Sequence, residues 1–551
     1  MKRKSKKHFP KQKGFRQKSR PKPKKYAVKK QFPKKPVEKI KIRDIKKDSI
    51  GDIVILEGII DSISQTEGPT LLPIEDGTGT LSLKGFVGPG ERAFPEINSD
   101  DVVRAKVRIK EYLGAFEGEI IEIEKLTGDQ AKKVADGIES VQRERAKPEE
   151  IPFLVKSQIL DKLRDSMVKA ATEIRLAIIQ NRPIIVRHHN DVDGYSSGFA
   201  LERAIIPLIA RQHSSAKAAW EYYTRAPCAA PFYEIDDSIK DTSNALRNVA
   251  KFSNKMPLVI IADNGSTEQD LFGIQQGKVH GMKFIVVDHH PFEKDVISKE
   301  VLAHINPFLV GESGSSYSAG MLATELARLV NNVGNISQIP AMAGIADRIE
   351  NEEVLSAYIK IAEEEGYSKK LLGDIASVID FISAKLRFME AREYIEVLFG
   401  EPRDKQKKLV SLMVPYISEL EKKGFEMAKM GTKEEVINGI TLQTIYIEET
   451  FPGFGFYPKP GKCIGFIHDD VQERKKLTKV VSVGIMRSAA TIRATDESGF
   501  SIHGLIRYIK ERLPEAFVEG GGHKNAGSIT FIPSKQEEVI KLFKEYLKSK
   551  G

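Results

Sequence analysis

The chain has 551 residues, of which 41% are hydrophobic and 29% are charged, and its net charge is +10. This length is too great for one hydrophobic core, so about three domains are expected. No apolar run approaches the ~20 residues of a membrane span, the N-terminus lacks the apolar region of a secretory signal, and the two cysteines, Cys228 and Cys463, form neither a zinc spacing nor a disulfide framework. These features exclude membrane-spanning and disulfide-rich secreted classes and predict a cytoplasmic protein.

Positive charge is concentrated at the N-terminus. Residues 1–40 contain 18 Lys or Arg and a single acid, Glu38, which gives this stretch +17 and leaves −7 for the rest of the chain. The stretch has several prolines and little apolar periodicity, so residues 1–43 are predicted to be a disordered basic arm. Such an arm either contacts phosphates through counterion release or serves as a solubilising tail. The segment that follows it favours phosphate contact.

An alternating, strand-like pattern runs through residues 44–128. The strand-like segments are 54–60, 81–87, 102–109 and 119–123, with a Gly-rich turn at 76–79. Short strands joined by such turns predict a small barrel, and this stretch resembles an OB-fold. The resemblance implies that single strands stack on aromatic side chains beside basic residues. The candidates are Phe86, Phe94, Tyr112 and Phe116, with Lys84, Arg92 and Lys110 nearby. The alternative for each aromatic is a place in the barrel core.

The remainder of the chain has helical and α/β patterns. Residues 129–180 have apolar positions at helical spacing and predict a helical connector. Within 181–348 strand-like runs alternate with helical ones, which is typical of a parallel α/β sheet. A helical linker at 349–433 and a smaller α/β domain at 434–551 follow. The predicted fold class is therefore α/β, with a parallel-sheet domain, a smaller C-terminal α/β domain that closes over its crevice, and a preceding all-β barrel.

Four segments rich in Asp or His stand where strands or helices are predicted to end. They lie at 186–194, 259–265, 284–291 and 343–348. Three of them follow runs of Ile, Val and Leu typical of buried parallel strands. Because ligands of open α/β sheets gather at the carboxyl ends of strands, these side chains should converge on one crevice. Clustered acids repel one another unless cations lie between them, so a two-metal site is the simplest interpretation.

Each of these segments also has an ordinary structural interpretation. Asp191 and Asp193 form an Asp-X-Asp pattern that is common on surfaces, and His189, two residues earlier, adds little alone. Asp263 and Asp347 would each suit the N-cap of a helix. The occurrence of all four segments in order is what favours metal binding over these alternatives.

The Asp-His-His run is the most specific motif. Asp288 ends a buried strand, and the side chains of His289 and His290 diverge, so that one can bind metal while the other faces substrate. The motif set resembles that of the DHH phosphoesterase superfamily. The Gly-Gly-Gly-His run at 520–523 and the Thr-Ile-Arg run at 491–493 resemble its associated substrate-binding domain. Within the superfamily the chain is similar to archaeal RecJ-like nucleases and to the Hef-associated nuclease group.

This resemblance implies a ligand set for two divalent cations. One ion would be held by His189, Asp191 and Asp263, and the other by Asp193, Asp263, His289 and Asp347. Asp288 would orient its neighbours. The groups that would contact phosphate are His290, Arg493, His523 and the backbone of Gly520, Gly521 and Gly522. Mixed carboxylate and imidazole ligands favour Mn²⁺, with Mg²⁺ as the alternative. Many superfamily members have their first ligand four residues before the first Asp, where this chain has Arg187, so His189 follows a variant pattern.

The expected activity is hydrolysis of single-stranded DNA or RNA from an end by a metal-dependent phosphodiesterase, in repair, replication or RNA turnover. The arm and the barrel would hold the strand, with Lys84 and Phe86 as contacts. One alternative is a phosphodiesterase for cyclic dinucleotides or short oligonucleotides, which needs neither arm nor barrel. The other is a non-catalytic replication or repair scaffold, although such proteins usually lose metal ligands. No membrane partner is expected, while a helicase, a replisome protein and a homo-oligomer stay open. The aromatic stretch at 451–457 fits either base stacking or packing.

Overall fold

The computed structural model describes residues 37–213, 215–228, 230–249, 255–386, 392–451 and 457–550. Most of the predicted basic arm and the middle of the aromatic stretch at 451–457 lie outside the described residues, as does the side chain of His523. The described chain contains an N-terminal β-barrel, a parallel sheet flanked by helices, and a C-terminal mixed sheet. None of the helices within these ranges is both long enough and apolar enough to cross a membrane.

The barrel is built from six strands. They are β1 (Ile53–Ile60), β2 (Ser64–Gln65), β3 (Thr70–Glu75), β4 (Thr80–Gly85), β5 (Val102–Tyr112) and β6 (Ala115–Lys125). The sheet closes on itself because β1 pairs with both β3 and β5, and the parallel pair of β4 and β6 completes the circuit. The result is a small closed all-β barrel, as the alternating pattern predicts. Alternate side chains, such as Leu56, Leu72 and Val107, point inward and are fully buried.

Two helices connect the barrel to the next domain, namely α1 (Gly128–Ala146) and α2 (Gln158–Ile179). The helical pattern expected over 129–180 is interrupted at 147–157, a stretch that contains Pro148 and Pro152. Proline lacks the N–H that a helix interior needs. The side chain of Ser157 then accepts hydrogen bonds from the first turn of α2 and starts that helix.

The next domain is built on a parallel sheet of five strands, which lie in the order 303–305, 283–287, 258–262, 184–188 and 223–227. Its elements are β7 (Ile184–His188), α3 (Val192–Gln212), α4 (Ala218–Tyr222), β8 (Tyr223–Pro227), α5 (Ile235–Val249), β9 (Leu258–Ala262), α6 (Glu268–Val279), β10 (Lys283–Val287), β11 (Ala303–Ile305), α7 (Ala319–Val330) and α8 (Ile339–Ala346). All of its strand pairs are parallel. Helices cover the sheet, so its central strands are buried on both faces, as their continuous apolar runs predict.

Four helices follow the sheet and lead into the C-terminal domain. They are α9 (Glu352–Glu364), α10 (Lys369–Leu386), α11 (Arg392–Leu398) and α12 (Arg403–Gly431). The C-terminal elements are β12 (Lys433–Ile437), β13 (Ile440–Tyr446), α13 (Ile447–Thr450), α14 (Pro460–Lys475), β14 (Val480–Met486), β15 (Ala489–Ala494), α15 (Ile502–Arg512), β16 (Glu519–His523), β17 (Ala526–Thr530) and α16 (Gln536–Lys548). Their sheet is mixed, with β13 and β14 parallel and the other pairs antiparallel. Its edge near β15 to β17 faces the crevice at the parallel sheet.

Candidate metal centre

The carboxyl ends of three neighbouring strands carry the acidic segments. His189 follows β7, Asp263 follows β9 and Asp288 follows β10, and these strands lie side by side in the sheet. Parallel strands end at the same edge, so side chains nearly 100 residues apart in sequence meet there. A hydrogen bond to the adjacent strand β10 fixes the backbone of Asp263, whose N–H donates to the carbonyl oxygen of Val287 at 2.9 Å.

The first ligand group surrounds His189. Its Nδ1 lies 2.8 Å from Asp191 Oδ2 and 3.5 Å from Asp263 Oδ2. Asp191 is also the N-cap of α3, where its side chain accepts from the N–H of Gly194 at 2.9 Å. Burial opposes both charges, but their mutual attraction outweighs it and holds the pKa of Asp191 below its usual range and the pKa of His189 above.

The second ligand group surrounds His289. Its Nε2 lies 3.4 Å from Asp263 Oδ1, 3.6 Å from Asp347 Oδ2 and 3.9 Å from Asp193 Oδ2. On the other side of the ring, Nδ1 lies 3.1 Å from the carbonyl oxygen of Gly314. A proton on Nδ1 satisfies that carbonyl and leaves the Nε2 lone pair directed at the carboxylates, as a metal-binding histidine requires.

Asp193 is held by the first turn of α7. Its two oxygens accept from the N–H groups of Ala319 at 2.8 Å and Gly320 at 2.9 Å. Gly320 has no room for a side chain, since a Cβ there would lie 2.8 Å from Asp193 Oδ1. Burial, together with the nearby charges of Asp263 and Asp347, raises the pKa of Asp193. A cation between these acids would relieve that repulsion.

Asp263 belongs to both groups and has an unusual backbone. Its φ is +62°, in the left-handed region that a residue other than glycine rarely adopts. Such strain persists where the surrounding structure imposes it, often at functional sites. The N-cap interpretation is wrong for Asp263, because α6 is capped by Thr267, and for Asp347, because it follows the last turn of α8.

Asp288 lies behind the histidines and orients them. Its Oδ1 accepts from the backbone N–H of His289 at 2.8 Å and of His290 at 3.2 Å, and lies 2.8 Å from His290 Nδ1. Burial opposes ionisation of Asp288, but His290 and His289 offset it, so the pKa of Asp288 is below its usual range. The pKa of His290 is raised, since the attraction of Asp288 exceeds the penalty of burial.

The donor atoms fit divalent cations. Among the residues that the structure describes, three groups have all their candidate atoms within 4.8 Å of one another. They are His189 with Asp191 and Asp263, Asp193 with His289 and Asp347, and Asp263 with His289 and His290. The donors are carboxylate oxygens and imidazole nitrogens without thiolates, which suits Mn²⁺ or Mg²⁺ better than a thiolate zinc site.

The sequence of the chain is similar to that of a known family. The model of the DHH family, N-terminal domain, matches residues 183–348. A solved structure of the DHH domain of a member of the s1p family of ribosomal proteins is 36% identical, with a TM-score of 0.71. The match covers 77% of this chain and 99% of that one. The chain belongs to the DHH family. An uncharacterised protein of Methanocaldococcus jannaschii is 34% identical over 541 residues, which cover 92% of this chain and 71% of the relative.

The fold of this DHH protein is RecJ-like. RecJ from Thermus thermophilus, solved in complex with Mn²⁺, is 15% identical, with a TM-score of 0.50, and the match covers 75% of this chain and 59% of that one. At that identity the likeness shows the fold alone. The family resemblance predicted from the motifs is confirmed, and membership of the Hef-associated group remains a prediction.

Arg187 explains why the usual first-ligand position is not used in this DHH domain. Its side chain is buried and forms hydrogen bonds with Asp241, one of them 3.0 Å long from Nε to Oδ2, while Nη1 lies 3.5 Å from Asp237. Burial disfavours its charge, but Asp241 and Asp237 outweigh that and raise its pKa. His189, two residues later, lies beside Asp191 and Asp263 instead.

The C-terminal domain contributes Arg493 and a glycine hairpin to the crevice. Arg493 lies on β15 among the residues that line the crevice, and burial lowers its pKa. The hairpin of β16 and β17 is joined to the DHH domain, since Gln269 Nε2 donates to the carbonyl oxygen of Gly520 at 2.9 Å. Gly521 faces open space, whereas a Cβ on Gly520 would lie 2.3 Å from the carbonyl oxygen of Ser528.

The barrel candidates divide into exposed and packed residues. Phe86 and Tyr112 are 64% and 59% exposed, whereas Phe94 and Phe116 pack against the barrel core. Lys84 forms an ion pair with Glu117 and lies 4.6 Å from the centre of the Tyr112 ring. The other basic candidates are also engaged, Arg92 with the carbonyl oxygen of Ile97 at 2.7 Å and Lys110 with Glu119 at 2.9 Å.

Lys459 is a crevice residue that was not among those predicted from the sequence. Its Nζ donates to the carbonyl oxygen of Asn190 at 3.1 Å and to Ser383 Oγ at 2.9 Å, and lies 3.1 Å from Asp380 Oδ1. It therefore ties the C-terminal domain to α10 and to the loop that precedes Asp191. No local pattern marks it, because its partners lie 76 and 269 positions away in the chain.

Proposed function

We propose that this DHH phosphoesterase hydrolyses single-stranded nucleic acid from an end with the help of two divalent cations. The observation that carries the proposal is the position of Asp263, whose two oxygens face separate ligand groups, Oδ2 toward His189 and Oδ1 toward His289. A carboxylate shared in this way is what a pair of neighbouring ions needs.

The residues that would hold the ions follow from the two groups. His189, Asp191 and Asp263 would bind one ion, and Asp193, Asp263, His289 and Asp347 the other. When bound, such a pair supplies charge stabilisation and a nucleophile for in-line displacement at phosphorus. The mixture of oxygen and imidazole donors favours Mn²⁺ over Mg²⁺.

The remaining groups of the centre would bind and position the phosphodiester. His290 is held by Asp288 at the border of the crevice and presents a raised-pKa imidazole to an anion. Arg493 would form charge-assisted hydrogen bonds with phosphate oxygens from the opposite side of the crevice. The glycine hairpin would bring backbone N–H groups close to the strand. His523 is also proposed to contact phosphate, because it ends the Gly-Gly-Gly-His motif at 520–523.

The barrel supports a strand as the substrate in preference to a cyclic dinucleotide. Phe86 and Tyr112 present aromatic rings to solvent beside Lys84. Exposed aromatics next to a cation suit stacking of successive bases without sequence preference. A small substrate would need neither these side chains nor the basic arm at residues 1–43.

Digestion of a long single strand, labelled separately at its 5′ and 3′ ends, tests the proposal. DNA and RNA are compared with Mn²⁺, with Mg²⁺ and with a chelator, and Asp263→Asn is the inactive control. Metal-dependent release of mononucleotides from one labelled end is expected. If the full chain leaves long strands intact but hydrolyses cyclic or linear dinucleotides, the strand nuclease is wrong and the small-substrate alternative replaces it. If it cleaves neither, the scaffold alternative replaces it.

A further inference from the structure

A third histidine, His304, lies behind the Asp-His-His motif and belongs to neither ligand group. It lies in β11, the strand next to β10, and it is 6% exposed. Serine hydroxyls engage both nitrogens of its ring, because Nε2 lies 2.9 Å from Ser266 Oγ and Nδ1 lies 2.9 Å from Ser298 Oγ. Burial lowers its pKa, so the ring is neutral near neutral pH. A neutral imidazole has one N–H and one lone pair, so each serine must match one of the two.

Ser266 connects this histidine to the motif. It is fully buried, and its Oγ accepts from Asn306 Nδ2 at 3.0 Å. The hydroxyl also lies beside the carboxylate of Asp288, whose ionised form it stabilises as a hydrogen-bond partner. The orientation of the Asn306 amide is fixed, because Nδ2 also donates to the carbonyl oxygen of His290 at 3.0 Å and Oδ1 accepts from the N–H of Phe308 at 3.0 Å.

The hydrogen atoms of this cluster follow from its donors and acceptors. A serine hydroxyl has one hydrogen to donate and two lone pairs that accept. Asn306 Nδ2 can only donate and ionised Asp288 can only accept, so Ser266 donates its hydrogen to Asp288. His304 must then donate to Ser266 through Nε2–H, and its Nδ1 accepts from the hydroxyl of Ser298.

We propose that His304 is a positioning residue of the metal centre, which acts on His290 through Ser266 and Asp288. His304 donates to Ser266, Ser266 donates to Asp288, and Asp288 accepts the Nδ1–H of His290. Partners of this kind fix the tautomer and the direction of an imidazole. The chain of hydrogen bonds therefore holds the His290 ring in the direction in which it meets phosphate. This inference rests on the proposed function, because it assigns His290 to phosphate.

The assignment of the hydrogens can be tested without measuring activity. Nuclear magnetic resonance of the full chain with isotope-labelled histidine shows which ring nitrogen carries the hydrogen, and the signals that disappear in His304→Gln identify this residue. We expect a neutral His304 ring with its hydrogen on Nε2. A hydrogen on Nδ1 would overturn the inference, because Ser266 would then donate to His304 and could not donate to Asp288.

Hydrolysis of bis(p-nitrophenyl) phosphate tests the consequence for catalysis, since this diester needs the metal centre but no surface that binds a strand. At saturating Mn²⁺, His304→Leu and Ser266→Ala should each lower kcat about 10- to 100-fold. The double variant should lose no more than either single variant, because the two residues act in series. His304→Gln should recover most of the activity, since its amide can replace the Nε2–H donor. The Mn²⁺ affinity should stay unchanged, because Gly314 holds the ligand His289 independently.

Ser298→Ala is the matched control. It removes a hydrogen bond from the other nitrogen of the same ring, and water can replace the hydroxyl because Ser298 is partly exposed. Its kcat should equal that of the wild type. An equal loss in Ser298→Ala, additive losses in the double variant, or wild-type kcat in His304→Leu would each overturn the inference. If His304→Leu does not fold, the smaller change Ser266→Ala decides between the same outcomes.

Failure of this inference is distinguishable from failure of the proposed function. Strand cleavage with wild-type kcat in Ser266→Ala and His304→Leu would remove the role of His304 and keep the nuclease. Hydrolysis of the diester but of no strand, with the expected losses in both variants, would keep the role of His304 and remove the strand nuclease. If the wild type hydrolyses neither substrate, the proposed function is wrong and the role of His304 in it is wrong as well.

Discussion

The metal centre and the barrel both contain many charged side chains, but they use them in opposite ways. In the barrel each cation on the outer face of β5 has an acid on β6 or β1. Arg104 lies 2.8 Å from Glu124, and Lys106 lies 3.4 Å from Glu122. In the metal centre, Asp193, Asp263 and Asp347 face each other with His289 as the shared cation. Local pairing neutralises the barrel face, whereas the crevice accumulates negative charge.

This difference distinguishes charged residues that bind a ligand from charged residues that only form ion pairs within the protein. Ion pairs between exposed residues contribute little energy and form without a ligand. Carboxylates gathered in a buried crevice destabilise the protein unless something compensates them, so their presence indicates a ligand. In the barrel, the basic residues that form ion pairs are therefore poor candidates for strand contact. Its exposed aromatic residues are better candidates.

The largest effect is expected at the carboxylate that both ligand groups share. Asp263→Asn keeps the shape of the side chain and tolerates the left-handed backbone. Hydrolysis should fall on the order of 10³-fold or more, because bound metal supplies several kcal/mol of transition-state stabilisation. The melting temperature in chelator should not decrease, since one of the repelling charges is removed. If Asp263→Asn turned over substrate nearly as fast as the wild type, the two-metal interpretation of the crevice would be wrong.

A smaller loss is expected at Asp288, which orients the ligands without belonging to either group. Asp288→Asn weakens the hydrogen bonds to His289 and His290, and second-layer changes of this kind typically cost about 10- to 100-fold in activity or metal affinity. Titration with Mn²⁺ and steady-state kinetics measure both quantities. A loss as large as that of Asp263→Asn would mean that Asp288 is itself a ligand.

The metal affinity should depend on pH because burial raises the pKa of Asp347 to about 6. In the metal-free protein this group binds its proton more tightly than in the unfolded chain, so its contribution to stability decreases as pH rises from about 4 through 6. Mn²⁺ needs the ionised form, so its affinity should fall about tenfold per pH unit below pH 6. Calorimetry between pH 5 and 8 tests this, and Asp347→Asn should make the dependence below pH 6 less steep, while the part that is due to the raised pKa values of His189 and Asp193 remains. An unchanged profile in that variant would assign the dependence to another group.

The smallest effects are expected in the barrel. Variants of its exposed aromatic residues are compared there with a variant of a cation that already forms an ion pair. Phe86→Ala and Tyr112→Ala should each weaken binding of a long single strand about tenfold, as loss of one stacked base does. Lys106→Ala is the matched control, with a change of less than about threefold, because its charge is already paired with Glu122. Dinucleotide hydrolysis should be unaffected by all three changes. If only Lys106→Ala weakened strand binding strongly, the paired cations would be the strand contacts and the exposed aromatic residues would not.

Much of the architecture followed from local patterns. The buried runs before Asp263 and Asp288 are the strands β9 and β10, and the helical runs expected within 181–348 include α3 and α7. Continuous apolar runs predict such strands because both faces of a parallel sheet are covered. The break at 147–157 was not predicted, since helical periodicity on both sides obscured the prolines between them.

What the amino-acid sequence determined by itself is the identity of the acidic and imidazole groups and their places at the ends of strands and, for Asp347, at the end of a helix. Both follow from the chemistry of the side chains and from the spacing of residues that are adjacent in the chain. The tertiary structure alone decided that the N-terminus of α7 holds Asp193 and that Lys459 ties the C-terminal domain to Asn190. Such contacts join residues that are distant in the chain, and only the packing of whole elements brings them together.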